Sequence, residues 1–144
     1  MIQAGQNRWV VGITGASGAV YGVRLCEFLL AQGYHVHLLI TNAGWRVLKE
    51  ELDWDVSRRL QMLEQQFSHL PGKLEYISNN DIGANVASGT YPVQGMVIVP
   101  CSMGTLAGVA AGISDNLVRR AADVMLKEGR RLILVPRETP LTVI

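Results

Sequence analysis

Short apolar runs alternate with helical segments along this chain, and this alternation limits the possible folds more than any other feature. The runs Trp9–Thr14, His35–Thr41 and Gly95–Pro100 are rich in valine, isoleucine and leucine and show little polar alternation. Strands of this kind are buried on both faces of a parallel sheet, and the helical segments supply the crossovers that parallel strands need. We therefore predict an α/β fold with a doubly wound parallel sheet.

The remaining elements follow from periodicity and from residues that end helices. Apolar residues at helical spacing predict a helix from Tyr21 to Gln32, which Gly33 ends. The stretch from Ser78 to Gln94 is rich in asparagine, glycine and serine and predicts a long loop, which in a compact domain is often functional. Further helices are predicted over residues 43–52, 57–70, 106–111 and 116–128, and further strands over 74–77 and 132–136.

Length, charge and composition narrow the class of protein. With 144 residues, 49% of them hydrophobic, the chain can bury one sizeable core, so we expect a single domain over residues 1–144 with a flexible polar start at residues 1–8. The net charge of +1 gives no electrostatic reason to expect a nucleic acid or an anionic membrane as partner. No apolar run has the length of a membrane span, so we expect a cytoplasmic protein that acts on a small molecule.

The loop Thr14–Gly18 follows a strand and opens a helix. Ligands of open parallel sheets bind outside the carboxyl ends of the strands, and small residues here let backbone N–H groups approach a phosphate. A dinucleotide fingerprint is missing, because the second strand ends in Thr41 and Asn42 without a carboxylate. No tyrosine is followed by a lysine four residues later, which argues against a short-chain dehydrogenase. The loop favours a mononucleotide phosphate, and a tight turn without a ligand is the alternative.

Two further loops are expected at the same rim of the sheet. The loop Pro100–Thr105 offers backbone donors and hydroxyls at the start of a helix, although Ser102 and Thr105 are equally compatible with ordinary helix caps. Arg137 and Glu138 directly follow a strand, where a charged pair is either functional or forms a salt bridge at the rim.

Other charged residues are ambiguous on pattern alone. Arg120 and Lys127 are seven residues apart on one face of the last predicted helix, so they either face one anion or form a solvated basic surface. Glu51 lies among other acids and is assigned by pattern to a helix surface. The histidines show no metal-ligand pattern, and packing or solvation is expected for His35, His37 and His69.

An ordered series of motifs runs through nearly the whole chain. It comprises Gly15–Ala19, Pro100–Met103, Asn116–Val124, Lys127 and Arg137–Leu141. Together these motifs resemble the flavin prenyltransferase family, the UbiX-like and Pad-type flavoproteins, from about Val10 to Leu141. The resemblance implies a flavodoxin-like or Rossmann-like three-layer sandwich.

The resemblance also implies an activity. Members of this family join the dimethylallyl group of dimethylallyl phosphate to reduced FMN, at flavin N5 and then at C6. The prenylated FMN passes to a UbiD-type decarboxylase in ubiquinone biosynthesis or aromatic acid decarboxylation. The resemblance further implies a homo-oligomer, typically a dodecamer, and no metal.

Residue roles are carried over from the motifs of the family. The resemblance implies that Ser17 and Glu138 form a proton relay near flavin N5 and that Glu51 is an acid/base group beside the prenyl chain. It implies FMN contacts from Gly15, Ala16, Ser17, Thr41, Ser102, Met103, Gly104, Thr105 and Arg137. It places Ser88, Gly89, Arg120 and Lys127 around the donor phosphate.

The end of the chain departs from the family pattern. Where the family continues past the Arg137–Leu141 motif into a further helix, this sequence has Thr142–Ile144, and a truncated end is expected. The missing segment carries a tyrosine and a basic residue of the donor phosphate site, so an FMN-binding module without catalysis is one alternative. A flavin-dependent cysteine decarboxylase is another, although the helix after the first loop opens with Ala19–Gly22, without the histidine expected there.

Overall fold

Five parallel strands form the centre of the structure. The computed structural model describes residues 5–138 of the chain. The strands in that part are β1 Arg8–Ile13, β2 His35–Ile40, β3 Lys73–Ser78, β4 Gly95–Cys101 and β5 Arg131–Pro136. They form one sheet in the order β3-β2-β1-β4-β5, and every neighbouring pair is parallel. The predicted α/β class and parallel sheet are confirmed.

Helices cover both faces of this sheet and complete a three-layer, doubly wound fold. They are α1 Ala19–Ala31, α2 Asn42–Leu52, α3 Arg59–Phe67, α4 Met103–Ala110 and α5 Leu117–Lys127. One core contains Val11 of β1 and buried residues of α1, α2 and α3, among them Trp45 of α2. Buried residues of α4 and α5 share a second core with Val10 and Met96. Because successive side chains of a strand point to opposite faces, β1 contributes to both cores.

Differences from the predicted elements lie mainly at helix ends. The helix α4 begins at Met103, three residues before the predicted start, because the side chain of Ser102 caps it. The segment predicted as one helix over 57–70 is a 3₁₀ turn, Val56–Arg58, followed by α3, which ends at Phe67. In the described residues 5–138, no helix has both the length and the apolar character needed to cross a membrane.

The segment Ser78–Gln94 runs from one end of the sheet to the other. It leaves β3 at the edge where the strands end, which we call the carboxyl edge; there the Asn79 carbonyl accepts a hydrogen bond from the Leu117 N–H at 3.0 Å. It reaches β4 at the edge where the strands begin, the amino edge, where the Gln94 N–H donates to the Arg8 carbonyl at 2.8 Å. This predicted loop also contains a short 3₁₀ turn over Asn85–Ala87.

Candidate functional site

The order of the strands reverses between β1 and β4, which are neighbours at the centre of the sheet. The helices that follow these strands lie on opposite faces, because α1 belongs to one core and α4 to the other. The two connections therefore diverge at the carboxyl edge and leave a crevice, which is where open α/β sheets bind ligands. The loops 14–18 and 102–105 follow these two strands, as the sequence predicted.

Thr14 joins the two loops across the crevice. Its side chain is buried, and its Oγ1 donates a hydrogen bond to the Pro100 carbonyl at 2.7 Å and accepts one from the Ser102 N–H at 2.8 Å. One hydroxyl thus satisfies a carbonyl and an amide of the neighbouring strand end. The sequence placed Thr14 in the predicted ligand loop without a role of its own, although a lone hydroxyl at the end of an apolar strand was a signal for this connection.

The loop Gly15–Gly18 is narrow because its residues are small. A Cβ atom at Gly15 would collide with Ala43 at the start of α2. Gly18 has a φ of 106°, a left-handed conformation that favours glycine. Ala16 is buried, whereas Ser17 is exposed. The loop therefore packs against α2 and leaves the Ser17 hydroxyl accessible.

The helix α2 runs alongside this loop: its first turn lies against Gly15, and its last turn places Glu51 beside Ser17. Oε2 of Glu51 accepts a hydrogen bond from the Ser17 hydroxyl at 2.6 Å. Oε1 accepts hydrogen bonds from the backbone N–H groups of Gly18 at 3.0 Å and Ala19 at 3.2 Å. The carboxylate thus occupies the N-terminus of α1, where unpaired amides and the helix dipole favour a negative charge.

These contacts change the acidity of Glu51. The hydrogen bond from Ser17, and then those from Gly18 and Ala19, lower the pKa of the carboxyl group below its ordinary value, and the positive charge of Arg137 acts in the same direction. Partial burial opposes them only in part. Glu51 is therefore ionised at neutral pH and able to accept a proton. Its pattern as one of several helix acids gave no sign of this position, and the resemblance to the family assigned Glu51 an acid/base role without pairing it with Ser17.

Thr41 caps α2 at the end of β2. Its Oγ1 accepts a hydrogen bond from the Gly44 N–H at 2.9 Å, so the hydrogen of its hydroxyl remains available to a ligand. The first backbone amides of α2, at Asn42 and Ala43, have no carbonyl partner within the helix. Thr41, which was predicted to supply a hydroxyl at the end of the second strand, therefore lies at a helix N-terminus on the carboxyl edge.

Ser102 caps α4 in a similar way. Its Oγ accepts from the Thr105 N–H at 3.1 Å and donates to Thr105 Oγ1 at 3.0 Å. The interpretation of Ser102 as a helix cap, left open by the sequence, is confirmed. The first amides of α4, at Met103 and Gly104, lack an intrahelical partner, and they are the groups that this loop can offer to an anion.

Arg137 and Glu138 follow β5 at the same edge. The Arg137 N–H donates to the Cys101 carbonyl at 3.1 Å, which holds this segment beside the end of β4. Glu138 follows an edge strand that is separated from β1 by β4, a distance of about 10 Å at ordinary strand spacing. In this structure Ser17 pairs with Glu51, and the relay between Ser17 and Glu138 remains a prediction.

Arg119 is a positioning residue that the sequence did not reveal. Its guanidinium pairs with Asp115 at 3.1 Å and donates from Nη2 to the Gly104 carbonyl at 3.3 Å. It also packs so closely on Gly108 that a Cβ atom there would lie 2.8 Å from its Cζ. Arg119 therefore ties α5 to the first turn of α4. Its place in a basic pair of the Asn116–Val124 motif was the available signal.

The residues predicted around a donor phosphate do not meet the first loop within one chain. The Gly89 carbonyl accepts a hydrogen bond from Arg130 Nη2 at 2.7 Å, just before β5 begins, so Ser88 and Gly89 lie at the amino edge. Lys127, the last residue of α5, lies at that end too. The six residues of a strand such as β1 separate the two edges by about 17 Å. The role of these residues at a donor phosphate remains a prediction, which within one chain would place that phosphate away from the first loop.

Arg120 and Lys127 share the solvent side of α5. Both are exposed, and seven residues of helix place them about 10 Å apart along the helix axis. Lys127 also pairs with Asp123 at 2.9 Å on the same helix. The described contacts thus fit the solvated basic surface that the sequence left open, and a shared anion remains a prediction.

Comparison with known proteins places the chain in a family. The profile of the Flavoprotein family matches residues 3–141. The chain is 57% identical over 131 residues to the flavin prenyltransferase UbiX of Alkalihalophilus pseudofirmus, and the match covers 91% of this chain and 66% of that relative. The chain thus spans slightly less than two thirds of that relative's length.

Solved structures agree with this assignment. The structure is similar to that of AnUbiX (PadA1) in complex with FMN and dimethylallyl pyrophosphate, with a TM-score of 0.81, 39% identity and coverage of 96% of this chain and 68% of the other. It is also similar to a dodecameric FMN-dependent UbiX-like decarboxylase from Escherichia coli O157:H7, with a TM-score of 0.83, 37% identity and coverage of 94% and 69%. This chain therefore belongs to the flavoprotein family and, within it, to the UbiX-like flavin prenyltransferases.

Proposed function

We propose that this chain binds FMN at the carboxyl edge and joins the dimethylallyl group of dimethylallyl phosphate to reduced FMN. The observation that carries the proposal is the contact between Ser17 and Glu51 at the glycine loop. A hydroxyl and an ionised carboxylate lie there side by side at the switch point of the sheet, where they can take up a proton from a bound molecule. Relatives named flavin prenyltransferases support the same activity.

The residues of the crevice fit a flavin mononucleotide. The loop Gly15–Gly18 has no bulky side chain, and the helices α2 and α4 direct unpaired amides to the same edge. A phosphate would be held by such amides, by the Thr41 hydroxyl and by the positive charge of Arg137. Reduced FMN would supply the nucleophilic ring positions, N5 and C6, at which the dimethylallyl group attaches.

The chain's own contribution to the chemistry is proton transfer. Because its pKa is lowered, Glu51 is a base rather than an acid at neutral pH. The Ser17 hydroxyl, which donates to Glu51, can receive a proton on its oxygen as it passes its own proton to the carboxylate. We therefore assign to this pair the removal of a proton during ring closure, in preference to protonation of the leaving phosphate.

The donor phosphate site requires a second copy of the chain. Ser88, Gly89 and Lys127 lie at the amino edge, so in an oligomer they would face the crevice of a neighbouring subunit. Cations placed there would stabilise the charge that develops on a leaving phosphate. A relative described as a dodecamer supports a homo-oligomer, and we propose the same assembly here.

The product would be consumed by a second enzyme. We propose that prenylated FMN passes from this cytoplasmic protein to a UbiD-type decarboxylase, in ubiquinone biosynthesis or in the decarboxylation of aromatic acids. The chemistry supports a separate acceptor, because a flavin modified at N5 and C6 is a changed cofactor that its producer does not use.

The test begins with the visible absorption and native mass of the purified protein with FMN. After reduction and addition of dimethylallyl phosphate, we expect the mass of the flavin to rise by one prenyl unit. Binding of FMN without this change would leave an FMN-binding module, and absence of flavin binding would contradict the whole proposal. Decarboxylation of a cysteinyl or aromatic acid by this protein alone would indicate a decarboxylase.

A further inference from the structure

Two histidines and a glutamate form a cluster in the amino half of the sheet, away from the crevice. His35 and His37 alternate along β2 and point to the same face, and Glu75 of β3 lies directly beside His37 in the strand register. His35 Nε2 is 3.7 Å from Oε1 of Glu75, and His37 Nδ1 is 3.2 Å from its Oε2. All three side chains present a potential ligand atom within 4.8 Å of the others.

We propose that His35, His37 and Glu75 bind one zinc ion. Two imidazole nitrogens and one carboxylate oxygen are a common donor set for zinc, with a fourth position left to water. Zinc bonds of about 2.0–2.2 Å in a tetrahedral arrangement separate the donor atoms by about 3.3–3.5 Å. The nitrogens of His35 and His37 lie 3.7 and 3.2 Å from different oxygens of Glu75, so a small rotation of this carboxylate would bring one oxygen near both nitrogens.

Burial and unused bonding capacity support an ion at this point. His37 is fully buried, yet among the described residues neither its Nδ1 nor Nε2 of His35 makes a well-formed hydrogen bond, and each of these atoms instead contacts the Glu75 carboxylate. A buried polar atom without a partner costs about 1–3 kcal/mol. A metal ion between the two rings and Glu75 would satisfy both nitrogens at once.

The hydroxyl of Tyr91 is compatible with the tautomer of His37 that a metal site needs. Its Nε2 lies 3.0 Å from the hydroxyl of Tyr91. When Nε2–H donates to this hydroxyl, the Nδ1 lone pair is free to bind an ion. Hydrogen bonds of this kind orient the metal-bound histidines of known sites. Metals bind the neutral form of imidazole, and the complete burial of His37 favours that form.

Nearby positive charges and the solvent exposure of Glu75 affect how the site would bind an ion. The positive charges of Arg8 and Lys73 lie close enough to lower the pKa of His35, and they weaken the attraction for a dication. The guanidinium of Arg8 is, however, held over the Tyr91 ring, with Cζ 4.5 Å from the ring centroid. The side chain of Glu75 is 36% exposed, which gives the ion a path from solvent and room for a water ligand. An ion here would join the edge strand β3 to β2.

The test is a zinc titration of the tag-free, chelator-treated full chain in competition with a chromophoric chelator. We expect one Zn²⁺ per chain, and Co²⁺ in its place should give the intense visible absorption of a four-coordinate site. The main variant is Glu75→Gln, because Glu75 is partly exposed and the variant keeps the shape of the side chain. It should weaken zinc binding at least tenfold, and His35→Gln should do the same.

Two further variants separate this site from adventitious binding. His69→Gln removes the remaining histidine, which is exposed and outside the cluster, and should leave zinc affinity unchanged. Tyr91→Phe, which removes only the hydroxyl beside His37, should weaken binding about tenfold. Circular dichroism checks that each variant is folded. The proposal is overturned if the wild-type chain binds no zinc at micromolar concentration, or if Glu75→Gln binds zinc as tightly as the wild type.

Discussion

Ser17 and Glu51 are 34 positions apart in the sequence, and their side chains are joined by a hydrogen bond of 2.6 Å. The loop after β1 supplies the hydroxyl, and the last turn of α2 supplies the carboxylate. This pairing requires α2 to run beside the loop Gly15–Gly18, which the collision of any Cβ atom at Gly15 with Ala43 also shows. The geometry of this pair leads to the first predictions.

Replacement of Glu51 should separate cofactor binding from chemistry. In Glu51→Gln the amide oxygen can still accept a hydrogen bond from the loop, so FMN affinity should change by less than about threefold. Loss of the proton acceptor should reduce the rate of prenyl transfer by about 10²–10⁴-fold. The rate is measured as the mass of the flavin product against time. Glu50→Gln, at the exposed neighbouring position of α2, is the matched control and should retain full activity.

The same carboxyl group should make stability depend on pH. The pKa of Glu51 is lower in the folded protein than in the unfolded chain, so its contribution to stability is complete above its ordinary pKa and is lost as the pH falls through the lowered value. The difference in unfolding free energy between the wild type and Glu51→Gln should therefore shrink as the pH falls from 6 to about 3. Urea unfolding curves at several pH values measure it. A constant difference across this range would contradict the lowered pKa.

The hydroxyl of Thr14 should matter for stability more than its small size suggests. Thr14→Val keeps the shape of the side chain but leaves the Ser102 N–H without its partner and removes one of the two hydrogen bonds that Thr14 donates to the Pro100 carbonyl. We expect a loss of about 1–3 kcal/mol in the free energy of unfolding, measured from the urea midpoint. Thr14→Ser retains the hydroxyl and should recover most of it. Equal losses for both variants would assign the effect to packing instead.

The contact between the first loop and α2 can be tested by a compensating pair. Gly15→Ala places a Cβ atom against Ala43, so the loop or the helix must move, at a cost of about 1–3 kcal/mol and at least a tenfold loss in FMN affinity. The double variant Gly15→Ala with Ala43→Gly removes the collision. Fluorescence titration with FMN should show affinity recovering in the double variant, and Ala43→Gly alone gives the baseline.

The two cysteines should be unreactive in the folded protein. Both side chains are buried, and burial raises the pKa of Cys26 to about 12 and that of Cys101 to about 11. Since the thiolate is the reactive form, a chromogenic disulfide reagent should label neither residue at pH 8 before unfolding. In guanidinium both should react. Rapid labelling of Cys101 in the native protein would show that the end of β4 opens to solvent.

The local sequence pattern determined the buried strands and the position of the first loop. Apolar runs such as Gly95–Pro100 predict buried parallel strands because side chains on both faces of such a strand must be apolar. The loop Gly15–Gly18 predicts a ligand rim because its position after a strand is a local property. These features depend on residues that are close in sequence, and for that reason they can be inferred without a structure.

Tertiary structure decided which distant residues meet. Glu51 resembles any helix acid until α2 is placed beside the first loop, and Thr14 becomes a connection only when β4 lies next to β1. Glu75 joins two histidines because the register of β2 and β3 sets it beside His37, which no spacing along the chain expresses. The separation of Gly89 from Ser17 likewise follows from which edge of the sheet each loop reaches. Contacts of this kind arise from the packing of whole elements, so the sequence determines them only through the complete fold.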